Sequence, residues 1–131
     1  SLMYRYDLDY NQLVCFGFAG RDMDLNYLRW DSYDQPWKER LAERMSRGFY
    51  NAVEYVDETG LLFRSYRKGG GSVTDGLQVY RDGVLVGDVD VPLGFRMAGY
   101  VAPYYYSYVV PDEEGERLYM FRFKWPSAPE E

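Results

Sequence analysis

The sequence predicts a mainly β, α+β domain: an antiparallel sandwich or barrel of about eight or nine strands with one amphipathic helix at 35–47. Three observations predict it. Aromatic residues make up 19 % of the chain and include 15 Tyr, a side chain that suits the half-buried, pleated surface of a sheet. Turn chemistry recurs between short apolar runs. One segment alone shows a helical period between capping residues.

Residues 3–8 alternate, with Tyr4, Tyr6 and Leu8 on one face of a strand and Arg5 and Asp7 on the other. Asp9 to Gln12 is turn chemistry. Leu13 to Phe18, LVCFGF, is a continuous apolar run, the pattern of a strand buried on both faces, and Cys15 within it is expected to be a buried core thiol. Gly20-Arg21-Asp22 breaks the run. Residues 23–30 suit either a strand or a helical turn.

The helix at 35–47 has Asp34 as its cap, Pro36 in the first turn and Gly48 just past its end. Trp37, Leu41 and Met45 recur every fourth residue and form an apolar stripe flanked by Arg40, Arg44 and Arg47. At about 1.5 Å per residue the helix is roughly 20 Å long, enough to cross a small sheet.

Strands follow in series. Runs 49–56 and 61–67 flank Asp57-Glu58-Thr59-Gly60, and runs 77–81 and 84–91 flank Asp82-Gly83, the strongest short-range hairpin signal. Gly69-Gly70-Gly71-Ser72 reads as a mobile surface loop. Residues 92–103 are irregular around a short strand at 95–101. Runs 104–110 and 118–125 flank a third turn at 111–115, and Tyr119, Phe121, Phe123 and Trp125 share one face of the last strand. Residues 1–125 read as a single domain, with 126–131 a disordered tail. The hairpin LQVYRDGVLVGDV (77–89) resembles hairpins of fibronectin type III modules. Together with NAVEYVDETGLLFRSYRKG (51–69) it also resembles tubby-like barrels. The resemblance implies a β-sandwich or barrel and no activity.

Net charge is −6. Up to Lys68 there are 11 acids and 10 bases, and beyond it 10 acids and 5 bases, so the negative excess lies mostly in the second half. Such a surface repels phosphate backbones and anionic lipid, and neither nucleic acid nor a membrane is an expected partner. There is no His and one Cys. That removes Ser-His-Asp and Cys-His nucleophiles and imidazole metal ligands. No internal disulfide can form and no signal-peptide pattern is present, which favours a cytoplasmic location.

Asp7/Asp9, Asp22/Asp24 and Asp88/Asp90 each place two carboxylates on one strand face. Each pair opens like a calcium loop. The sixth position, which needs Gly, is Gln12, Tyr27 or Leu93, and the twelfth, which needs Glu, is Phe18, Tyr33 or Gly99. Solvated faces are therefore expected, with no metal and no cofactor.

The densest feature is aromatic. Alternation sends Tyr104, Tyr106 and Tyr108 to one face and Tyr105 and Val109 to the other, with Tyr100 close by in sequence. One face is expected to be core, and the other an aromatic surface for a partner. The leading expectation is a non-enzymatic binding module using Tyr100, Tyr104, Tyr106, Tyr108, Arg40 and Arg44. A β-barrel enclosing a small apolar ligand is the second. The third is a carboxylate- and Tyr-dependent enzyme using Glu54, Asp88 and Asp90. The partner is expected to be a protein, a small apolar ligand, or a second copy paired through an edge strand such as 118–125.

Overall fold

The computed structural model describes residues 2–25, 39, 41–42, 46–112 and 114–126. Its regular structure is antiparallel β, in strands β1 (Met3–Tyr6), β2 (Gln12–Phe16), β3 (Phe49–Val56), β4 (Leu61–Arg67), β5 (Asp75–Arg81), β6 (Val84–Val91), β7 (Met97–Val101), β8 (Tyr104–Ser107), β9 (Val110–Pro111), β10 (Leu118–Tyr119) and β11 (Arg122–Phe123). They form a four-stranded sheet in the order β3-β4-β5-β6, a three-stranded sheet β11-β8-β7, and the pairs β1-β2 and β9-β10. None of these sheets closes into a barrel.

The four-stranded sheet follows its turns. Thr59 and Gly60 both donate their N–H to the Val56 carbonyl, and Gly60 has φ 69°. Asp82 and Gly83 sit at φ 50° and 78°, the two left-handed positions that match the twist of a two-residue hairpin. Register then sets the faces. Phe63 lies opposite Val79 and Ser65 opposite Leu77, so the odd-numbered residues of β4 and β5 share one face.

That face packs on the three-stranded sheet. Leu61, Phe63, Leu77 and Val79 meet Phe95, Met97 and Tyr105, with Phe121, Phe123 and Trp125 closing the edges. Phe63 lies 4.8 Å from Tyr105 and 6.0 Å from Phe123, ring centre to ring centre. A Cβ at Gly87 would come within 2.4 Å of the Trp125 ring, so glycine there lets the indole lie across β6. Two polar contacts fix the packing. Ser65 Oγ accepts from Met97 N–H at 3.0 Å. The buried Asp75 carboxylate accepts from Gly94 N–H at 2.7 Å and lies 2.6 Å from Arg67 Nε.

Several expectations are corrected here. Strand β1 stops at Tyr6, because the Asp7 carboxylate accepts from the N–H groups of Asp9 and Asn11 and closes a turn that leaves Leu8 99 % exposed. Cys15 is exposed. LVCFGF is not buried on both faces: β2 pairs only with β1, so it has one covered face, carrying Val14 and Phe16, and one solvent face. Run 118–125 is broken between β10 and β11, two residues each, which leaves a shorter edge than the continuous strand expected.

The Gly69–Ser72 loop lies at the surface, with Gly70 and Gly71 exposed, and is anchored at its start. A Cβ at Gly69 would fall 2.3 Å from the Arg47 carbonyl carbon, and Gly70 N–H donates to Ser46 O at 2.9 Å. Most of the helix expected at 35–47, including Arg40 and Arg44, lies outside the described residues. Glu39, Leu41 and Ala42 are helical, and Ser46 N–H donates to Ala42 O at 3.1 Å. Leu41, expected in the apolar stripe, is 49 % exposed.

Candidate functional site

The even-numbered residues of β4 and β5 point to the opposite face of the four-stranded sheet, where residues 16–24 cross it. Two regions result, a polar anchor and an apolar cleft.

The anchor gathers around one carbonyl. Phe18 C=O accepts from Arg64 Nη2 at 2.7 Å, Gln78 Nε2 at 3.0 Å and Tyr50 Oη at 3.1 Å, while Phe18 N–H donates to Tyr80 Oη at 3.2 Å. Arg64 is 2 % exposed. Its guanidinium lies 3.8 Å from the centre of the Tyr50 ring and donates through Nε to Gln78 Oε1 at 3.0 Å. Burying a cation needs bonds and aromatic faces of this kind.

Asp88 and Asp90 stand on the same face of β6, opposite Gln78 and Gly76. They hold the chain segment down, where solvated carboxylates were expected. Asp88 accepts from Arg21 N–H at 3.0 Å and from the Tyr66 hydroxyl. Asp90 pairs with Arg21 at 3.0 Å and with the buried Lys68 at 2.5 Å. Burial, and then the bond to Asp88, push the Tyr66 phenol far above its usual range, so it stays protonated and donating. Lys68, and after it Arg21, hold Asp90 below the usual carboxylate range.

A group whose folded pKa is depressed contributes stability above its unfolded pKa and loses that contribution as pH falls through the folded one. Wild-type protein is therefore expected to lose this contribution below about pH 4. Asp90→Asn is expected to be less stable at pH 7 and to show a flatter acid limb. Urea midpoints measured from pH 7 to pH 3 check this.

The cleft lies beside the anchor, under the β1-β2 hairpin. Phe16 reaches the sheet 5.3 Å from the Tyr80 ring centre. A Cβ at Gly83 would sit 3.3 Å from Val14 Cγ1, so the hairpin also touches the β5-β6 turn. Between these contacts and β3 the hairpin stands off the sheet. The space is about 640 Å³, lined chiefly by Val14, Phe16, Val53, Tyr55, Leu62 and Tyr80, with Arg5 and Asp82 as its charged residues.

The tyrosines divide as alternation requires. Tyr105 is buried in the core and is flanked by Tyr100 at 4.6 Å. Tyr104 and Tyr106 lie on the outer face of β8, rings 6.4 Å apart, with Arg122 4.2 Å and Lys124 5.3 Å from the Tyr104 ring centre. Tyr108 lies beyond the end of β8, and Arg96 sits 4.9 Å from its ring centre. The four tyrosines are thus spread over a core face, an outer face and a loop. Glu54 pairs with Phe63 and shares its sheet face, opposite to that of Asp88 and Asp90, so the three carboxylates do not meet.

Sequence reading missed the cleft and the anchor, since both join residues that are distant in the chain. Leu62 and Tyr66 of β4 were the available signal: a strand with apolar and aromatic residues on both faces needs cover on both. Compared with known protein families, with characterised proteins and with solved structures, the chain matches none.

Proposed function

We propose that this protein is a non-enzymatic binding module that takes a small apolar ligand in the cleft between the β1-β2 hairpin and the four-stranded sheet. The cleft itself carries the reading. Its volume of about 640 Å³ falls within the roughly 300–1,000 Å³ of small-molecule sites, and its lining is mostly aliphatic and aromatic. Asp88 and Asp90 are committed to holding Arg21 and Lys68, which supports binding over carboxylate catalysis. The ligand expected inside a closed barrel sits, on this reading, beneath a hairpin laid over an open sheet. The packing of the four-stranded sheet on the three-stranded one supports a two-layer sandwich as the scaffold.

Binding of the neutral fluorophore N-phenyl-1-naphthylamine tests it. Wild type is expected to give saturable one-site binding, and Leu62→Trp, which fills the cleft, to abolish it while retaining the cooperative unfolding transition. Absence of saturable binding to wild type, or equal binding by the folded Leu62→Trp protein, would remove the assignment. A second reading keeps the outer face of β8 as a partner surface, favoured by the Tyr104–Tyr106 pair beside Arg122 and Lys124. On that reading Tyr104→Ala/Tyr106→Ala protein loses a protein partner while its fluorophore binding is unchanged.

A further inference from the structure

We infer that the ligand of the cleft is an amphipathic anion, an apolar body carrying one carboxylate or sulfonate head that Arg5 receives. The inference rests on the cleft reading above and adds the chemistry of the head group. Register places Arg5 opposite Val14 and Met3 opposite Phe16, and successive strand residues point to opposite faces. Arg5 is therefore on the face of the hairpin turned toward the sheet, with Val14 and Phe16, exposed to solvent at the cleft, whose rim also includes Tyr4 and Tyr6. Among the described residues Arg5 has no ion pair, hydrogen bond or ring contact.

Both faces of the hairpin are mainly apolar, with Tyr4, Leu13 and Cys15 outward and Met3, Val14 and Phe16 toward the sheet, and the cation among them has no local cause. The other charged residue of the lining, Asp82, does have one. It occupies the left-handed first position of the Asp82-Gly83 turn, a place that Asp and Asn fill for backbone reasons alone. The lining thus offers an apolar floor of Val53, Tyr55 and Leu62 with an uncommitted guanidinium from β1 across it. A guanidinium has five donors and no acceptor, and its fork matches a carboxylate or sulfonate. The remaining lining suits hydrocarbon or aromatic surface.

Two fluorophores that differ in the head group separate this inference from the reading beneath it. 8-Anilinonaphthalene-1-sulfonate carries a sulfonate, and N-phenyl-1-naphthylamine is the same aromatic body without one. Both are titrated into wild type, Arg5→Gln, Arg5→Lys and Leu62→Trp. Arg5 is exposed, so the expected preference of wild type for the sulfonate is modest, about threefold to fivefold at low salt. It is expected to vanish in Arg5→Gln, to survive in part in Arg5→Lys, and to shrink as salt is raised. Binding of the neutral fluorophore is expected to be unchanged in both Arg5 variants and lost in Leu62→Trp. Equal affinity of wild type for the two fluorophores, or a sulfonate preference that persists in Arg5→Gln, overturns the anion inference and leaves the cleft standing. Absence of wild-type binding to either fluorophore overturns both.

Discussion

Replacing Phe63 by alanine is expected to lower the stability of this fold by about 3–5 kcal/mol. Phe63 is 0 % exposed and sits where the two larger sheets meet. Its ring contacts Tyr105 on β8 and Phe123 on β11, and those two rings stack on each other 5.4 Å apart. Truncation removes the shared member of that cluster. The surrounding strands are fixed by Val79 opposite Phe63 and by the Ser65–Met97 bond, so the gap closes only in part. Equilibrium urea unfolding measures the loss. Val53→Ala is the control. Val53 is 55 % exposed on the cleft face of β3, and its loss is expected to cost less than about 1 kcal/mol. Similar costs for the two variants would show that the core does not lie between the two sheets.

Gly76→Ala is expected to cost about 3 kcal/mol through crowding rather than a cavity. A Cβ at Gly76 would lie 1.9 Å from Tyr66 Cζ, and one at Gly20 would lie 2.5 Å from Tyr66 Cε2. The Tyr66 ring is therefore clamped between two glycines, one on β5 and one on the segment that crosses the sheet. It cannot swing aside without giving up its bond to Asp88. Gly76 has no positive φ, so space, and not backbone conformation, requires the glycine. Two comparisons isolate that cause. Gly99→Ala, where a Cβ would meet nothing within 4 Å, is expected to be neutral or to add about 0.5 kcal/mol. Gly76→Ala combined with Tyr66→Ala is expected to be less destabilising than the sum of the two single changes, because each relieves the same clash. Strict additivity would show that the ring and the glycine do not meet.

The parts of this fold that were legible in the sequence are those set by neighbours in the chain. Asp82-Gly83 and Asp57-Glu58-Thr59-Gly60 specify their hairpins through left-handed backbone positions. Alternation along 118–125 puts Phe121, Phe123 and Trp125 on one face together, and all three pack against the core. The same rule separated Tyr105 from Tyr104 and Tyr106 but left open which side was buried. That choice depends on β8 packing against β4, which no local pattern encodes.

Burial of Arg64 was illegible for a similar reason. One of its acceptors is the Phe18 carbonyl, 46 residues away, and main-chain acceptors leave no mark on composition. Cys15 was misplaced because an apolar run of this length suits a strand covered on both sides, whereas β2 finds cover only on the face of Val14 and Phe16. The Gly69–Ser72 loop reads as a surface loop, and Gly70 and Gly71 are exposed, but no local pattern shows that Gly69 is needed for the close passage of the Arg47 backbone. The anchor and the cleft follow together from the crossing of residues 16–24 over the even face of β4 and β5.

The most direct test of the binding site is where a ligand lands. With methyl-labelled protein and bound N-phenyl-1-naphthylamine, intermolecular NOEs locate the fluorophore residue by residue. Contacts to the methyl groups of Val14, Val53 and Leu62 are the expected result, since these three reach the cleft from β2, β3 and β4. NOEs confined to the exposed Val101, Leu118 and Met120 would contradict it and move the binding surface to the other sheet.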